Sequence, residues 1–207
     1  MAEMRWLYFS MLVFISFSFQ RPLDQQPGDF VRLEDMDSTF RYDMRYATAN
    51  NFLKEKVYDC DDCVIRKEVA EGLIMANNYF KERGARIKFF DCYRPLDIQK
   101  KMWKVFSNPQ YVADPKKGSV HNRGGAVDIT LVDFNEQELD MGTGFDHFGE
   151  EAHHAYSQLS SEVIANRQFL KEGMRISGFE HIESEWWHYN FKGSEHYEVS
   201  NFQTACQ

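Results

Sequence analysis

The stretch GSVHNRGGAVDIT, residues 118–130, joins a glycine-containing turn to an apolar strand. His121 and Asp128 stand on the two sides of that turn. On an unbroken strand, residues seven positions apart face opposite sides of the sheet, because side-chain direction alternates. Gly124 and Gly125 break the strand, since glycine accepts backbone conformations that other residues avoid. We therefore predict that His121 lies back beside Asp128.

The His121–Asp128 pair is a candidate for two ligands of one metal ion. Asp128 sits between Val127 and Ile129, and a buried carboxylate is costly unless an opposite charge compensates it. A metal cation or an arginine would supply that charge. Imidazole nitrogen and carboxylate oxygen are both common zinc ligands. The alternative is a hairpin with a polar tip and no metal.

A second motif, ESEWWHYNF (183–191), contains the candidate third ligand, His188. Three protein ligands and one open position are typical of a catalytic zinc site, whereas a structural site is closed by four. Glu185 would stand beside the metal as the general base, taking a proton from water and passing it to the leaving amine. Glu183 competes for that role. The alternative is an aromatic core strand with surface glutamates.

Arg94 lies at the end of the strand-like stretch FFDCYRP (89–95), where a buried strand meets a loop. Hydrolysis of an amide builds negative charge on the carbonyl oxygen, and a fixed guanidinium aimed at that oxygen would stabilise the transition state. The alternative is an ion pair with Asp91 or Asp97.

Helix-like and strand-like segments alternate along the chain. The pattern predicts three helices, over residues 66–83, 96–107 and 160–178. It predicts strands over 85–93 and 126–134, and one or two strands within 179–192. The sequence does not contain the glycine-rich phosphate fingerprint of dinucleotide-binding folds. We therefore predict an α+β fold with a small, mostly antiparallel sheet and helices packed on it.

The chain has 207 residues, a length that suits one folded domain with a sizeable core. Its formal net charge is -8, and it has no block of Lys and Arg. That balance argues against nucleic acid or an anionic membrane surface as the main partner. It leaves a small-molecule substrate open, because a pocket can differ in sign from the whole chain. The sequence does not indicate an oligomeric state.

The N-terminus carries an apolar run from Trp6 to Phe19, preceded by Arg5. The run is shorter than the roughly 20 residues that span a bilayer. It predicts a secretory signal peptide over residues 1–20, a folded domain over 21–207, and no stable membrane insertion once the signal is removed. The predicted location is periplasmic or secreted, with the cytoplasm as second choice. An uncleaved anchor or an irregular segment is the alternative.

The chain contains four cysteines, Cys60, Cys63, Cys92 and Cys206. One C-x-x-C pair without a matching second pair is a weak zinc signal. Export would favour disulfides. Four cysteines allow three full pairings, and the sequence does not choose among them.

Taken together, these motifs resemble a known family. The pattern S-x-H-x-x-G-x-A-x-D at 119–128, followed by E-W-W-H at 185–188, is similar to the zinc D-alanyl-D-alanine dipeptidases of the VanX type. Those enzymes share a fold with zinc D,D-carboxypeptidases and the hedgehog signalling domain. Four further segments resemble the dipeptidases in the same order, over nearly all of the mature chain: YATANNF (46–52), DCYRP (91–95), MGTGFD (141–146) and HH (153–154).

The resemblance implies one zinc ion per chain, with His121, Asp128 and His188 as its ligands. It implies that Glu185 is the general acid/base and that Arg94 stabilises the tetrahedral intermediate.

The resemblance also implies a recognition site for a small dipeptide. Tyr46 and Asp146 would line the site for the free ammonium group, and Ser119 would help to fix the carboxylate. A dipeptide zwitterion needs one anionic end and one donor-rich end, so a site that binds both termini would select dipeptides.

Three features qualify what the resemblance implies. The adjacent histidines at 153–154 are interpreted as structural or as supports of the ligands, because neighbouring residues rarely face the same ion. The loop before Ser119 is short, which predicts a more open cleft and less strict selection of dipeptides. For Cys92 we hypothesise a disulfide with Cys60 or Cys63 that holds the arginine loop.

The predicted function is zinc-dependent hydrolysis of D-alanyl-D-alanine in cell-wall turnover or nutrient recovery, since a secreted enzyme cannot reach the cytoplasmic dipeptide pool that resistance requires. One alternative is a D,D- or L,D-carboxypeptidase acting on longer peptidoglycan peptides. Another is a zinc-binding module without turnover, against which the retention of Glu185 and Arg94 argues.

Overall fold

A computed structural model describes residues 29–204, so the predicted signal peptide (1–20) lies outside the described residues. Within that range the three α-helices are α1 (Lys67–Lys81), α2 (Leu96–Val105) and α3 (Ser161–Ile176). The strands are β1 (Phe30–Arg32), β2 (Arg41–Tyr42), β3 (Val64–Arg66), β4 (Ala85–Asp91), β5 (Ala126–Asp133), β6 (Phe179–Ile182) and β7 (Glu185–Phe191). None of the helices between residues 29 and 204 has the length and apolar character needed to cross a bilayer. The predicted α+β class is confirmed.

Five strands form the main sheet, in the order β2-β4-β5-β7-β6. Strand β2 runs parallel to β4, and the other neighbouring pairs are antiparallel. Strands β1 and β3 form a separate antiparallel pair. The prediction of a mostly antiparallel sheet is confirmed, whereas nothing in the local sequence pattern predicts the small second sheet.

Helix α1 packs on the sheet through an apolar face with the predicted spacing. Val69, Leu73 and Phe80 are fully buried, and the helix contacts β4 and α3. Burial of an apolar side chain of this size contributes about 1.5–3 kcal/mol relative to exposure. Helices α1 and α3 pack closely where Gly173 of α3 meets Phe80 of α1. A Cβ at Gly173 would lie 2.3 Å from the Phe80 ring. This layer anchors β4, whose last residue is Asp91.

The turn before β5 has the shape that its glycines predict. His121–Arg123 forms one turn of 3-10 helix, and Gly124 leaves it with a φ of +66°. A Cβ at Gly124 would also lie 2.3 Å from the ring of Phe30, and a Cβ at Gly125 would lie 2.3 Å from Ser194. Neither glycine can carry a side chain without moving the chain, so the turn breaks the strand as predicted.

Strand β4 contains a bulge where it pairs with β5. Phe89 pairs with Ile129 and the next pair is Asp91 with Asp128, so Phe90 is an extra residue. Residues directly opposite one another in an antiparallel pair point to the same face of the sheet. The bulge therefore turns Asp91 to the face that Asp128 occupies.

An irregular segment, residues 134–160, connects β5 to α3 and contains the MGTGFD motif. Ser160 ends the segment by capping the helix, since its Oγ accepts a hydrogen bond from the Val163 amide at 3.2 Å. This cap accounts for the start of α3 at Ser161.

Candidate metal centre and cleft

Three side chains from distant parts of the chain converge on one point. Asp128 on β5 pairs directly with His188 on β7, and the turn before β5 brings His121 back to them. The Nε2 of His121 lies 3.3 Å from Asp128 Oδ1 and 3.2 Å from His188 Nδ1. His188 Nδ1 lies 3.0 Å from Asp128 Oδ1. Between residues 29 and 204, no other group of three His, Cys, Asp or Glu side chains has spacing that could hold a metal ion.

The outer nitrogen of each imidazole has an acceptor as its partner, and the inner nitrogen faces the other two donors. His121 Nδ1 lies 2.7 Å from the Cys92 carbonyl oxygen, and His188 Nε2 lies 2.9 Å from Asn190 Oδ1. Both partners accept a hydrogen bond, so each outer nitrogen can donate a proton while the inner nitrogen turns to a metal ion. Metal-binding histidines are oriented in this way in general.

Asp128 is ionised at this centre. Burial opposes ionisation, yet the imidazoles of His121 and His188 hold the pKa of its carboxyl well below its usual range. Two imidazole nitrogens and one carboxylate oxygen are a donor set that zinc accepts. The donors therefore fit a zinc ion with three protein ligands.

Glu185 is buried beside the three donors at the start of β7. Its Oε2 lies 4.0 Å from His188 Nδ1, and burial raises the pKa of its carboxyl to about 8. Glu183 differs in every respect: its side chain is 75% exposed and contacts His181 Nε2 at 3.0 Å. The geometry therefore favours Glu185 over Glu183 as the carboxylate that works at this centre.

Arg94 is both ion-paired and directed at the centre. Its Nε and Nη2 donate to Asp91 Oδ2 at 3.0 and 2.6 Å, and its Nη1 donates to Gln99 Oε1 at 2.8 Å. Its Nη2 also lies 3.8 Å from Asp128 Oδ2. The ion pair with Asp91 is present, whereas the carboxylate of Asp97 contacts Lys100 instead. The ion-pair alternative is thus observed for Asp91, and the pair fixes the guanidinium beside the donors.

A cavity of about 230 Å³ opens over the donors. All of the site residues predicted from the sequence line it: Tyr46, Arg94, Ser119, His121, Asp128, Asp146, Glu185 and His188. The loop before Ser119 also contributes to the wall, through residues 109–113.

Asp146 presents a half-buried carboxylate to this cavity, and no cation among the described residues is bonded to it. It accepts hydrogen bonds from the Tyr46 hydroxyl at 3.1 and 3.2 Å and from the Phe52 amide at 3.4 Å. Burial raises the pKa of its carboxyl to about 7. Its φ is +61°, a left-handed conformation that costs a non-glycine residue about 1–3 kcal/mol. A half-buried carboxylate on a strained backbone, held by neutral donors, is suited to a cationic ligand group.

Ser119 is buried directly before the turn that carries His121. Its Oγ accepts a hydrogen bond from the His121 amide at 3.2 Å, and its own amide donates to Asn122 Oδ1 at 2.7 Å. The hydroxyl hydrogen remains available to a ligand in the cavity.

The adjacent histidines lie away from the donors. His154 packs its ring against His181 at 4.6 Å, and the Nε2 of His153 lies 3.4 Å from the Tyr111 hydroxyl. Neither histidine lines the cavity. Of the two interpretations given for them, the structural one agrees with this placement.

A disulfide joins Cys63 to Cys92, with 5.4 Å between their Cα atoms. The hypothesis that Cys92 pairs with Cys60 or Cys63 is confirmed for Cys63. The bond lies next to the site, because the Cys92 carbonyl holds His121 and its amide donates to Asp91 Oδ1 at 2.9 Å.

Several supporting residues were not among the sequence predictions. Asn190 could have been found, because it stands two positions after His188 and so shares its face of β7. Gln99 on α2 and Tyr58, whose hydroxyl donates to Asp91 Oδ1 at 2.7 Å, could not. Their roles depend on contacts between segments that no local pattern reveals.

The α+β fold and this cleft agree with the class of protein that a sequence comparison shows, a metal-dependent peptidase. The sequence profile of the D-ala-D-ala dipeptidases, peptidase family M15, matches residues 26–205. The chain therefore belongs to the D-ala-D-ala dipeptidase family.

Curated relatives are similar over most of their length. The D-alanyl-D-alanine dipeptidase of Escherichia coli (strain K12) is 33% identical over 182 residues, which cover 86% of this chain and 94% of the relative. The D-alanyl-D-alanine dipeptidase of Enterococcus faecium is 32% identical over 184 residues, covering 77% of this chain and 90% of the relative.

Solved structures align less closely. The LdcB LD-carboxypeptidase is 20% identical with a TM-score of 0.44, covering 83% of this chain and 71% of that one. VanYB in complex with D-Alanine-D-Alanine is 17% identical with a TM-score of 0.41, covering 64% and 74%. At these TM-scores the likeness adds nothing to the family membership.

Proposed function

We propose that this protein hydrolyses the free dipeptide D-alanyl-D-alanine, with one zinc ion per chain held by His121, Asp128 and His188. The observation that carries the proposal is the convergence of those three donors within 3.3 Å of one another, in one cavity with Glu185 and Arg94. Family membership supports the substrate, since the curated relatives bear the name D-alanyl-D-alanine dipeptidase.

Glu185 moves the proton in this proposal. When bound, zinc supplies Lewis acidity that polarises a carbonyl and lowers the pKa of water. The Glu185 carboxylate accepts a proton from the attacking water and delivers it to the leaving amine. A carboxyl whose pKa burial raises to about 8 exchanges protons efficiently near neutral pH.

Arg94 stabilises the negative charge that develops on the carbonyl oxygen. Asp91 and Gln99 fix three of its guanidinium nitrogens, so little reorganisation is needed when the charge appears. Retention of both Glu185 and Arg94 in the cavity argues against a zinc-binding module without turnover.

Recognition of both substrate termini explains selection of a dipeptide. The Asp146 carboxylate binds the ammonium group, with the Tyr46 hydroxyl holding that carboxylate in place. The Ser119 hydroxyl donates to the substrate carboxylate. A longer peptide presents an amide nitrogen where the dipeptide presents its ammonium, and so loses the charge pair with Asp146.

The proposed physiological role is cell-wall turnover or nutrient recovery outside the cytoplasm. It depends on the signal peptide predicted over residues 1–20, and on a folded enzyme domain over 21–207.

A substrate panel on the purified protein tests the proposal. Free D-alanyl-D-alanine, its N-acetylated form and a pentapeptide stem ending in D-alanyl-D-alanine are compared, with L-alanyl-L-alanine as the stereochemical control. We expect the free D,D-dipeptide to be cleaved fastest, with activity lost to a chelator and restored by zinc. Preference for the pentapeptide would instead identify a carboxypeptidase, and absence of turnover after zinc is restored would identify a binding module.

A further inference from the structure

Arg167 on α3 makes three hydrogen bonds, all of them to backbone carbonyl oxygens. The side chain is buried, and its Nε donates to Met141 at 2.8 Å, its Nη2 to Glu151 at 2.8 Å and its Nη1 to His153 at 3.1 Å. Among the ion pairs within 4 Å between residues 29 and 204, none includes Arg167. Three carbonyl dipoles therefore hold this buried cation directly, and the charge of Asp140 adds only a longer-range attraction.

The three carbonyls stand on both sides of one irregular stretch. Met141 precedes residues 142–150, and Glu151 and His153 follow them. One guanidinium thus draws together the two ends of a loop that has no strand pairing of its own. That loop carries Asp146.

Two smaller contacts hold the same loop from its first half. The Asn166 amide nitrogen donates to the Asp140 carbonyl at 2.9 Å, and Trp186 Nε1 donates to Thr143 Oγ1 at 2.8 Å. After Asp146, the described residues show two hydrogen bonds from a side chain to the backbone at the end of the loop. Arg167 donates both of them. Loss of Arg167 would therefore release the loop after Asp146 more than before it.

Arginine suits this position because of its shape. Its planar fork carries five N–H donors in fixed directions, so it can hold three carbonyls at once, whereas lysine has three donors on a flexible stem. The left-handed backbone of Asp146 also needs such support, since a strained conformation persists only where its surroundings over-determine it.

We infer that Arg167 is a positioning residue for substrate recognition: it fixes the 142–150 loop and thereby aims the Asp146 carboxylate at the free ammonium group of the dipeptide. The inference rests on the proposed function of Asp146. Arg167 does not line the cavity, so it acts through the loop and not on the reacting atoms.

The test compares Arg167→Met with Arg175→Met, a matched change on the same helix at an exposed arginine paired with Glu172. For Arg167→Met we expect KM for D-alanyl-D-alanine to rise about tenfold or more while kcat stays within about threefold, because uniform binding is lost. Bound zinc should stay unchanged, and the preference for the free over the N-acetylated dipeptide should shrink. Arg167→Lys should recover part of the KM. An unchanged KM, or a fall in kcat alone, overturns the inference.

A double variant shows whether Arg167 acts through Asp146. If it does, Arg167→Met combined with Asp146→Asn should have no higher KM than Asp146→Asn alone, whereas additive effects overturn the inference. If Arg167→Met does not fold, Arg167→Lys replaces it throughout. Amide exchange across residues 142–150 should accelerate in the Arg167 variant and not in Arg175→Met. Unchanged exchange refutes the loop restraint, whereas faster exchange in a protein that does not cleave the dipeptide refutes only the proposed function.

Discussion

The proposed reaction centre and the proposed recognition site are built on different kinds of backbone. Asp128, Glu185 and His188 stand on two paired strands in the middle of the sheet. Asp146 and Tyr46 stand on an irregular loop and a single 3-10 turn. Strand pairing fixes the first group through many backbone hydrogen bonds, whereas the second depends on single side chains such as Arg167. We therefore expect the rate of the chemical step to tolerate substitutions far from the site better than the selection of substrate does.

Removal of a strand-borne ligand should have the largest effect. Asp128→Ala leaves two imidazoles without their carboxylate, so zinc affinity should fall by more than about 100-fold, because even loss of an outer partner costs 10–100-fold. Zinc content after dialysis and the rate of dipeptide hydrolysis measure this. Asp133→Asn, at the far end of the same strand, should keep both. Full zinc content in Asp128→Ala would show that another group is the ligand.

Glu185→Ala should retain zinc but lose about a thousandfold in kcat, since general acid–base catalysis contributes about 10²–10⁴. Metal analysis and steady-state kinetics on the same sample separate the two properties. The control is Glu183→Ala, which removes an exposed carboxylate and should change neither. Loss of zinc from Glu185→Ala would show that Glu185 is a zinc ligand and that another residue is the general base.

Arg94→Lys keeps the positive charge but loses the planar guanidinium group that Asp91 and Gln99 hold in place. We expect kcat to fall by about 10²-fold with a smaller change in KM, as for loss of one transition-state donor. Kinetics at saturating and limiting substrate give the two values. An unaltered kcat would show that Arg94 forms an ion pair with Asp91 but does not stabilise the transition state.

On the loop-borne side, Asp146→Asn should act on KM. A carboxylate pairs with an ammonium group only when it is ionised, and burial raises the pKa of Asp146 to about 7. KM of the unaltered enzyme should therefore rise as pH falls below that value, whereas KM of Asp146→Asn should be high and lack this dependence. A KM profile from pH 5.5 to about 8.5 measures both. A pH-dependent rise that persists in the variant would point to another group.

Loss of the disulfide should have the smallest effect on kcat, and its main effect should be on the free energy of unfolding. Its closed loop spans a sequence separation of 29 residues, and a disulfide closing such a loop contributes about 2–4 kcal/mol to the free energy of unfolding. Denaturant unfolding of a Cys63→Ala, Cys92→Ala double variant should show this loss, with kcat within about tenfold of the unaltered enzyme. A larger loss of kcat would show that the bond aligns His121 or Arg94.

The sequence predicts the sheet-borne half of the site better than the loop-borne half, and the reason is periodicity. Alternation on β5 and β7, together with the glycine turn, selects His121, Asp128 and His188 as candidates for one face, and the pairing of β5 with β7 brings them together. Nothing periodic marks residues 134–160, so Asp146 entered only through a resemblance. No sequence pattern indicates that Arg167 holds the 142–150 loop through hydrogen bonds, because an arginine in a helix is usually exposed.

The same limit applies to the fold. Helices α1 and α3 follow from apolar spacing and, for α3, from the Ser160 cap. The pairing of β1 with β3 joins segments more than thirty residues apart, and the bulge at Phe90 depends on the partner strand. Such features arise from tertiary contacts, which outweigh local preference.

The extra residue at Phe90 also makes this enzyme sensitive to the register of one strand. If β4 paired with β5 without the bulge and at its present length, Phe90 would stand opposite Asp128 and Asp91 opposite Val127, so the Asp91 carboxylate would lie on the reverse side of the sheet from Asp128. Every proposed zinc donor would remain, and a comparison of the site residues would find nothing missing. Arg94 would nevertheless have lost its ion pair with Asp91, so a substitution that removes the bulge would silence the protein without touching a site residue.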